Sequence, residues 1–128
     1  MSIVSYKDLT VWQKSMTLVE EIYKVTKQFP KSEIYGLASQ MQRAAVSIPC
    51  NIAEGHKRKH ILEYIQFLSI ANGSSAELET QIKLCKRLPG LNKYNYASIE
   101  NILEEIMKML AVLINKLTAK RYVLKPNP

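Results

Sequence analysis

Four stretches of this chain repeat their apolar residues every three or four positions, with short breaks between them. That pattern constrains the fold more than any other feature. A period near 3.6 residues gathers apolar side chains on one face of an α-helix. Helices joined by short connections lie antiparallel to their neighbours. The expected fold is therefore all-α, an up-down-up-down antiparallel four-helix bundle. At 128 residues the chain fits one domain that needs neither disulfide nor metal to fold. Residues 1–121 are expected to form the bundle and residues 122–128 a frayed tail.

The first helix is expected over Asp8–Gln28, with Asp8 as N-cap or first-turn acid. Trp12, Met16, Val19, Tyr23 and Thr26 supply its apolar stripe, widened by Ile22. Phe29-Pro30 stops it, because the residue before proline is pushed out of the α region. The second helix starts near Ser32–Tyr35, with Ser32 as cap, carries Leu37, Met41, Ala44, Ile48 and Ile52 inward, and ends at Gly55. Pro49 lies inside that stripe and predicts a kinked second helix; a stop at Ser47 and a restart is the alternative.

The third helix is expected over Arg58–Leu88, with Tyr64, Phe67, Ala71, Leu78, Ile82 and Cys85 on one face, flanked by Ile65 and Leu68. Its middle, Ala71–Ala76, is small and polar, and the phase on either side predicts one helix with a close-packed waist. Pro89-Gly90 stops it. The fourth helix is expected over Ala97–Lys120, with Ile99, Leu103, Ile106, Leu110, Leu113 and Leu117 in heptad spacing. Ile102, Met109 and Ile114 widen that stripe and predict a second apolar contact, such as another subunit. Trp12, Ile48, Phe67 and Leu110 are expected in the core.

The net charge of +7 points to an anionic partner. The densest cluster is His56-Lys57-Arg58-Lys59-His60, between helices 2 and 3, where a phosphate backbone can dock. Lys83, Lys86 and Arg87 form a second cationic group, and Lys120, Arg121 and Lys125 a third. Arg43 is an outlying candidate. Few exposed aromatics are expected to stack on bases. Arg43, Asn51, Asn72, Ser75 and Glu79 interrupt the core stripes and predict a buried polar network or a polar cleft.

Catalysis has little footing. The sequence has no glycine-rich phosphate loop, no GxSxG and no HExxH. Cys50 and Cys85 both fall in apolar helical patterns and are expected as buried, reduced thiols. His56 and His60 have metal-ligand spacing, but three cations lie between them, so neither a metal site nor any cofactor is expected. No signal peptide is recognisable, and the longest apolar run, Met109–Ile114, is far too short for a membrane span. A cytoplasmic protein is expected.

Three strings carry a resemblance: YKDLTVWQK over 6–14, YGLASQMQRAAVSIPCNIAEG over 35–55, and FLSIANGSSAELETQI over 67–82. Together the chain resembles the four-helix-bundle proteins encoded in intervening sequences of bacterial 23S ribosomal RNA genes. The resemblance implies a ring-like homo-oligomer, most often a pentamer. A related branch comprises the accessory variability determinants of diversity-generating retroelements, which implies a reverse transcriptase as a possible protein partner. Two positions depart from the family: Gln42-Arg43 stands where paired arginines are usual, and Cys50 where serine or alanine is. The expected function is non-enzymatic association with nucleic acid, RNA above all, through Lys57, Arg58 and Lys59, then Lys83, Lys86 and Arg87, with Arg43 last.

Overall fold

The computed structural model describes residues 5–124, and these form four α-helices and no strand. They are α1 (Thr10–Thr26), α2 (Leu37–His56), α3 (Ile61–Arg87) and α4 (Ala97–Leu124), with 3-10 turns at Tyr6–Asp8 and Lys31–Glu33. Each helix packs on the next, and α1 closes against α4, so the bundle is the up-down-up-down arrangement the periodicity predicts. Leu18, Ile22, Met41, Ile48, Ile52, Leu68, Leu78, Ile106 and Leu110 are fully buried between the helices.

The inward face of α1 differs from the expected one. Val11, Ser15, Leu18, Ile22 and Val25 enter the core, Trp12 and Val19 are half-buried, and Met16 and Tyr23 face outward. The two stripes have the same period and lie one residue apart. Ser15 hid the true one, because a serine reads as polar. Its hydroxyl donates to the Trp12 carbonyl at 2.7 Å, which satisfies it inside the core. Phe67 is also only half-buried, whereas Ile48 and Leu110 are buried as expected.

The helix ends are built differently from the predicted caps. Asp8 belongs to the first 3-10 turn, and Leu9 stands at the start of α1 without a side-chain cap. Ser32 lies in the second 3-10 turn, and Glu33 supplies the cap instead, accepting from the Leu37 amide at 3.2 Å. Asn95 caps α4 by accepting from the Ala97 amide at 3.0 Å. Gly90, at φ 86, makes the left-handed turn that only glycine adopts readily. Phe29 stacks on Tyr94 at 5.5 Å, and the Tyr94 hydroxyl donates to the Gln28 carbonyl at 2.6 Å. These contacts tie the α1–α2 and α3–α4 connections together at one end.

α2 runs unbroken through Pro49, so the stop at Ser47 does not occur. Nor does Gly55 end the helix in a left-handed cap. It is buried inside α2, and a Cβ there would lie 2.8 Å from Phe67 Cβ and 3.2 Å from the Tyr64 carbonyl oxygen. Gly55 is what lets α2 and α3 approach. In the waist of α3, Ala71 and Ser75 are fully buried as a close-packed seam requires, while Gly73 between them faces outward and meets nothing within 4 Å.

The polar link between α2 and α3 uses Ser47 and Ser74, whose hydroxyls lie 2.8 Å apart, with Asn51 donating to Ser47 Oγ at 2.9 Å. Ser75 is buried and bonds within α3 to the Ala71 carbonyl. Arg43 and Glu79 are exposed and take no part, because long charged side chains keep their heads in water. α4 continues through Leu124, beyond the expected end at Lys120, so 122–124 of the tail expected over 122–128 are helical; 125–128, with Lys125, lie outside the described residues. Its surplus residues Ile102, Met109 and Ile114 are partly buried against the bundle's own core, while Val112 beside them stays exposed.

Candidate nucleic-acid interface

The cationic turn owes its position to helix lengths. α2 ends at His56, α3 starts at Ile61, and Lys57–His60 must reverse the chain between them at the end of the bundle. Lys57, Arg58, Lys59 and His60 are all exposed there. Among the described residues, neither Lys57 nor Lys59 pairs with a carboxylate. Arg58 is held differently: its guanidinium bonds Glu54 Oε1 at 2.6 Å and lies 4.9 Å from the Phe67 ring centre. His56 meets the edge of the Tyr64 ring at 5.7 Å. Desolvation by burial raises the Tyr64 pKa, so its hydroxyl stays neutral.

Antiparallel packing brings further cations to the same end. Lys86 bridges to Glu100 where α3 ends and α4 begins, so the start of α3 and the end of α4 lie together at the other extremity. An apolar groove of about 420 Å³ between Leu9–Val11 and Met109, Val112 and Leu113 places the start of α1 there too. By helix register, the extremity with the Lys57–Lys59 turn also carries Lys120 and Arg121 near the end of α4, while Lys116 lines the groove beside Asp8. Lys120 and Arg121, read from the sequence as part of a separate third group, come to the end of the α2–α3 turn through the antiparallel topology.

The other predicted cations are elsewhere. α3 separates Lys57–Lys59 from Lys86 and Arg87 by roughly 40 Å, at about 1.5 Å per residue, so the two groups cannot form one small site. Lys86 is engaged by Glu100 at 3.1 Å, and Lys83 borders a groove with Glu79, Glu100 and Glu104. Those carboxylates lower the local positive potential. Arg43 stands midway along α2 in a polar groove of about 350 Å³ with Gln40, Ser47, Ser74 and Glu77.

The two cysteines part company. Cys85 is buried and donates to Met41 Sδ at 3.6 Å, and desolvation raises its pKa, so it is an unreactive thiol at neutral pH. Cys50, expected to be buried, is exposed, because the α2 core face is filled by Ile48, Pro49 and Ile52 around it. A thiol reagent on the native protein is expected to label Cys50 alone, with Cys85 reacting only after unfolding. Mass spectrometry of the labelled protein checks this, and equal labelling of both would refute the burial pattern. Among the described residues, no group of three or more His, Cys, Asp or Glu could hold a metal ion, and no helix is long and apolar enough to cross a membrane.

Fold and charge together define a small basic four-helix bundle with its densest free cations at one turn. The family model for 23S rRNA-intervening sequence proteins matches residues 7–112, and the chain belongs to that family. A similar solved structure is a protein of unknown function from the S23 ribosomal protein family of Bacteroides thetaiotaomicron VPI-5482, determined at 1.70 Å resolution. It has a TM-score of 0.74 at 27% identity, over 82% of this chain and 98% of that one. No curated protein matches the sequence.

Proposed function

We propose that this chain is a non-enzymatic, homo-oligomeric protein that binds nucleic acid, RNA above all, in the cytoplasm. The observation that carries the reading is the α2–α3 turn, where Lys57 and Lys59 are exposed and free of carboxylates at an end rich in further cations. Lysines so placed release counterions from a phosphate backbone and bind it without reading sequence. Arg58 supports the turn and contributes charge. Lys83, Lys86, Arg87 and Arg43 are secondary contacts, reached only by a long strand or through neighbouring subunits. The family name, with its reference to 23S rRNA, agrees with an RNA partner.

The test is purification from native cells without nuclease. The wild-type protein is expected to carry RNA that high salt removes, and a Lys57→Ala, Arg58→Ala, Lys59→Ala variant to carry little. Wild-type protein free of nucleic acid, eluting with a second protein, would instead favour an accessory subunit of a reverse transcriptase or another nucleic-acid enzyme. The open apolar groove lined by Leu9, Val11, Met109, Val112 and Leu113 gives that alternative its physical footing.

The same groove, lined on one side by Met109, Val112 and Leu113 of α4, supports self-association through the α4 face first expected to mediate it. A closed homo-oligomer, a pentamer by family resemblance, is the expected mass in light scattering at micromolar concentration. A strictly monomeric mass would remove the oligomer from this reading.

A further inference from the structure

We infer that Tyr122, on the last turns of α4, is a stacking platform for an unpaired base, so that the favoured ligand is single-stranded nucleic acid. This rests on the nucleic-acid reading above and adds to it a contact that is not electrostatic. Tyr122 is 70% exposed, which leaves the face of its ring open to a ligand. Its position decides what it can meet. Tyr122 follows Glu104 by five full turns of helix, so the two share one face of α4. Glu104 borders α3, lining a groove with Ile82 and Lys83. Helix phase therefore puts Tyr122 on the flank of α4 that borders α3, at the end of the bundle where α3 begins and the Lys57–His60 turn lies.

Lys120 and Arg121 immediately precede it in the chain, and Arg121 is half-buried. Its Nε is enclosed without a hydrogen-bond partner, and no carboxylate neutralises its guanidinium among the described residues. An exposed ring flanked by cations is the chemistry that holds a single strand: phosphates follow the cations while a base lies on the ring. A duplex offers no free base face, so it gains only the electrostatic part. Tyr35 is still more exposed, but it lies in the connection before α2, at the opposite end, with Glu33 close in sequence.

The experiment measures fluorescence anisotropy of labelled single-stranded RNA, single-stranded DNA and duplex RNA of equal length. Wild type is compared with Tyr122→Ala, Tyr122→Phe and the Lys57, Arg58, Lys59 triple alanine variant. Tyr122→Ala is expected to weaken single-strand binding roughly five- to hundredfold, the range for losing one stacked base. Its salt slope and duplex binding should be unchanged, Tyr122→Phe should bind like wild type, and both single strands should be affected alike. The triple variant should lose binding to all three ligands. Unaltered single-strand binding by Tyr122→Ala, beside a weakened triple variant, overturns the stacking site and leaves the nucleic-acid reading intact. Equal weakening on single strand and duplex also overturns it. A wild-type protein that binds none of the three overturns both readings.

Discussion

Gly55→Ala is expected to lower the melting temperature by several degrees, up to roughly 8 °C, at about 4 °C per kcal/mol for a domain of this size. The added methyl would sit 2.8 Å from Phe67 Cβ, 3.0 Å from Tyr64 Cδ1 and 3.2 Å from the Tyr64 carbonyl oxygen. A Cβ and a backbone oxygen cannot rotate away, so α2 and α3 must separate along their seam. Overpacking of this kind costs about 1–3 kcal/mol, and sometimes more. Alanine's better helix propensity returns up to about 1 kcal/mol. Gly73→Ala is the control, because a Cβ there meets nothing and only the propensity gain operates. That variant should melt a few degrees above wild type. Thermal unfolding followed by circular dichroism distinguishes the two; a Gly55→Ala protein as stable as Gly73→Ala would show that the helices do not approach so closely.

The second large effect is expected at the turn, and it should divide the three central cations. Lys57 and Lys59 have no partner among the described residues to lose. Their replacement by alanine should leave stability within about 0.5 kcal/mol of wild type. Each loss should weaken RNA binding roughly two- to fivefold, as for other exposed ion contacts, and a ring of subunits would multiply it. Arg58→Ala is different, because it also breaks the Glu54 bridge and uncovers Phe67. It should cost about 1 kcal/mol of stability, from the helical ion pair and the ring contact together, and change binding less than either lysine does. Equal binding losses with no stability difference would mean that Arg58 leaves Glu54 to meet the ligand.

The bundle was legible because period and loop length act locally and determine topology. What the sequence concealed depends on which of two neighbouring stripes turns inward. In α1 the stripe through Trp12, Met16, Val19 and Tyr23 is the more hydrophobic to read. The stripe through Val11, Ser15 and Leu18 fills the core because Ser15 can satisfy its hydroxyl on its own helix. The same limit made Cys50 read as buried and Gly55 as a stop, since exposure and interhelical distance are properties of the neighbour across the gap. For the candidate site, the 57–59 cluster was plain in the chain. Its company was not: that Glu100 engages Lys86, or that Lys120, Arg121 and Tyr122 share the end of Lys57 and Lys59, follows only from the antiparallel register.

The central claim is that exposed lysines at one end of the bundle hold a phosphate backbone. Its most direct test is the affinity of the wild-type protein for single-stranded RNA over a series of salt concentrations. Each neutralised phosphate on a single strand contributes about 0.7 to the slope of log affinity against log salt. With Lys57 and Lys59 both engaged, the line should fall with a slope of about −1.4 or steeper, and lose about that much when both become alanine. A wild-type affinity that does not change with salt would contradict the account.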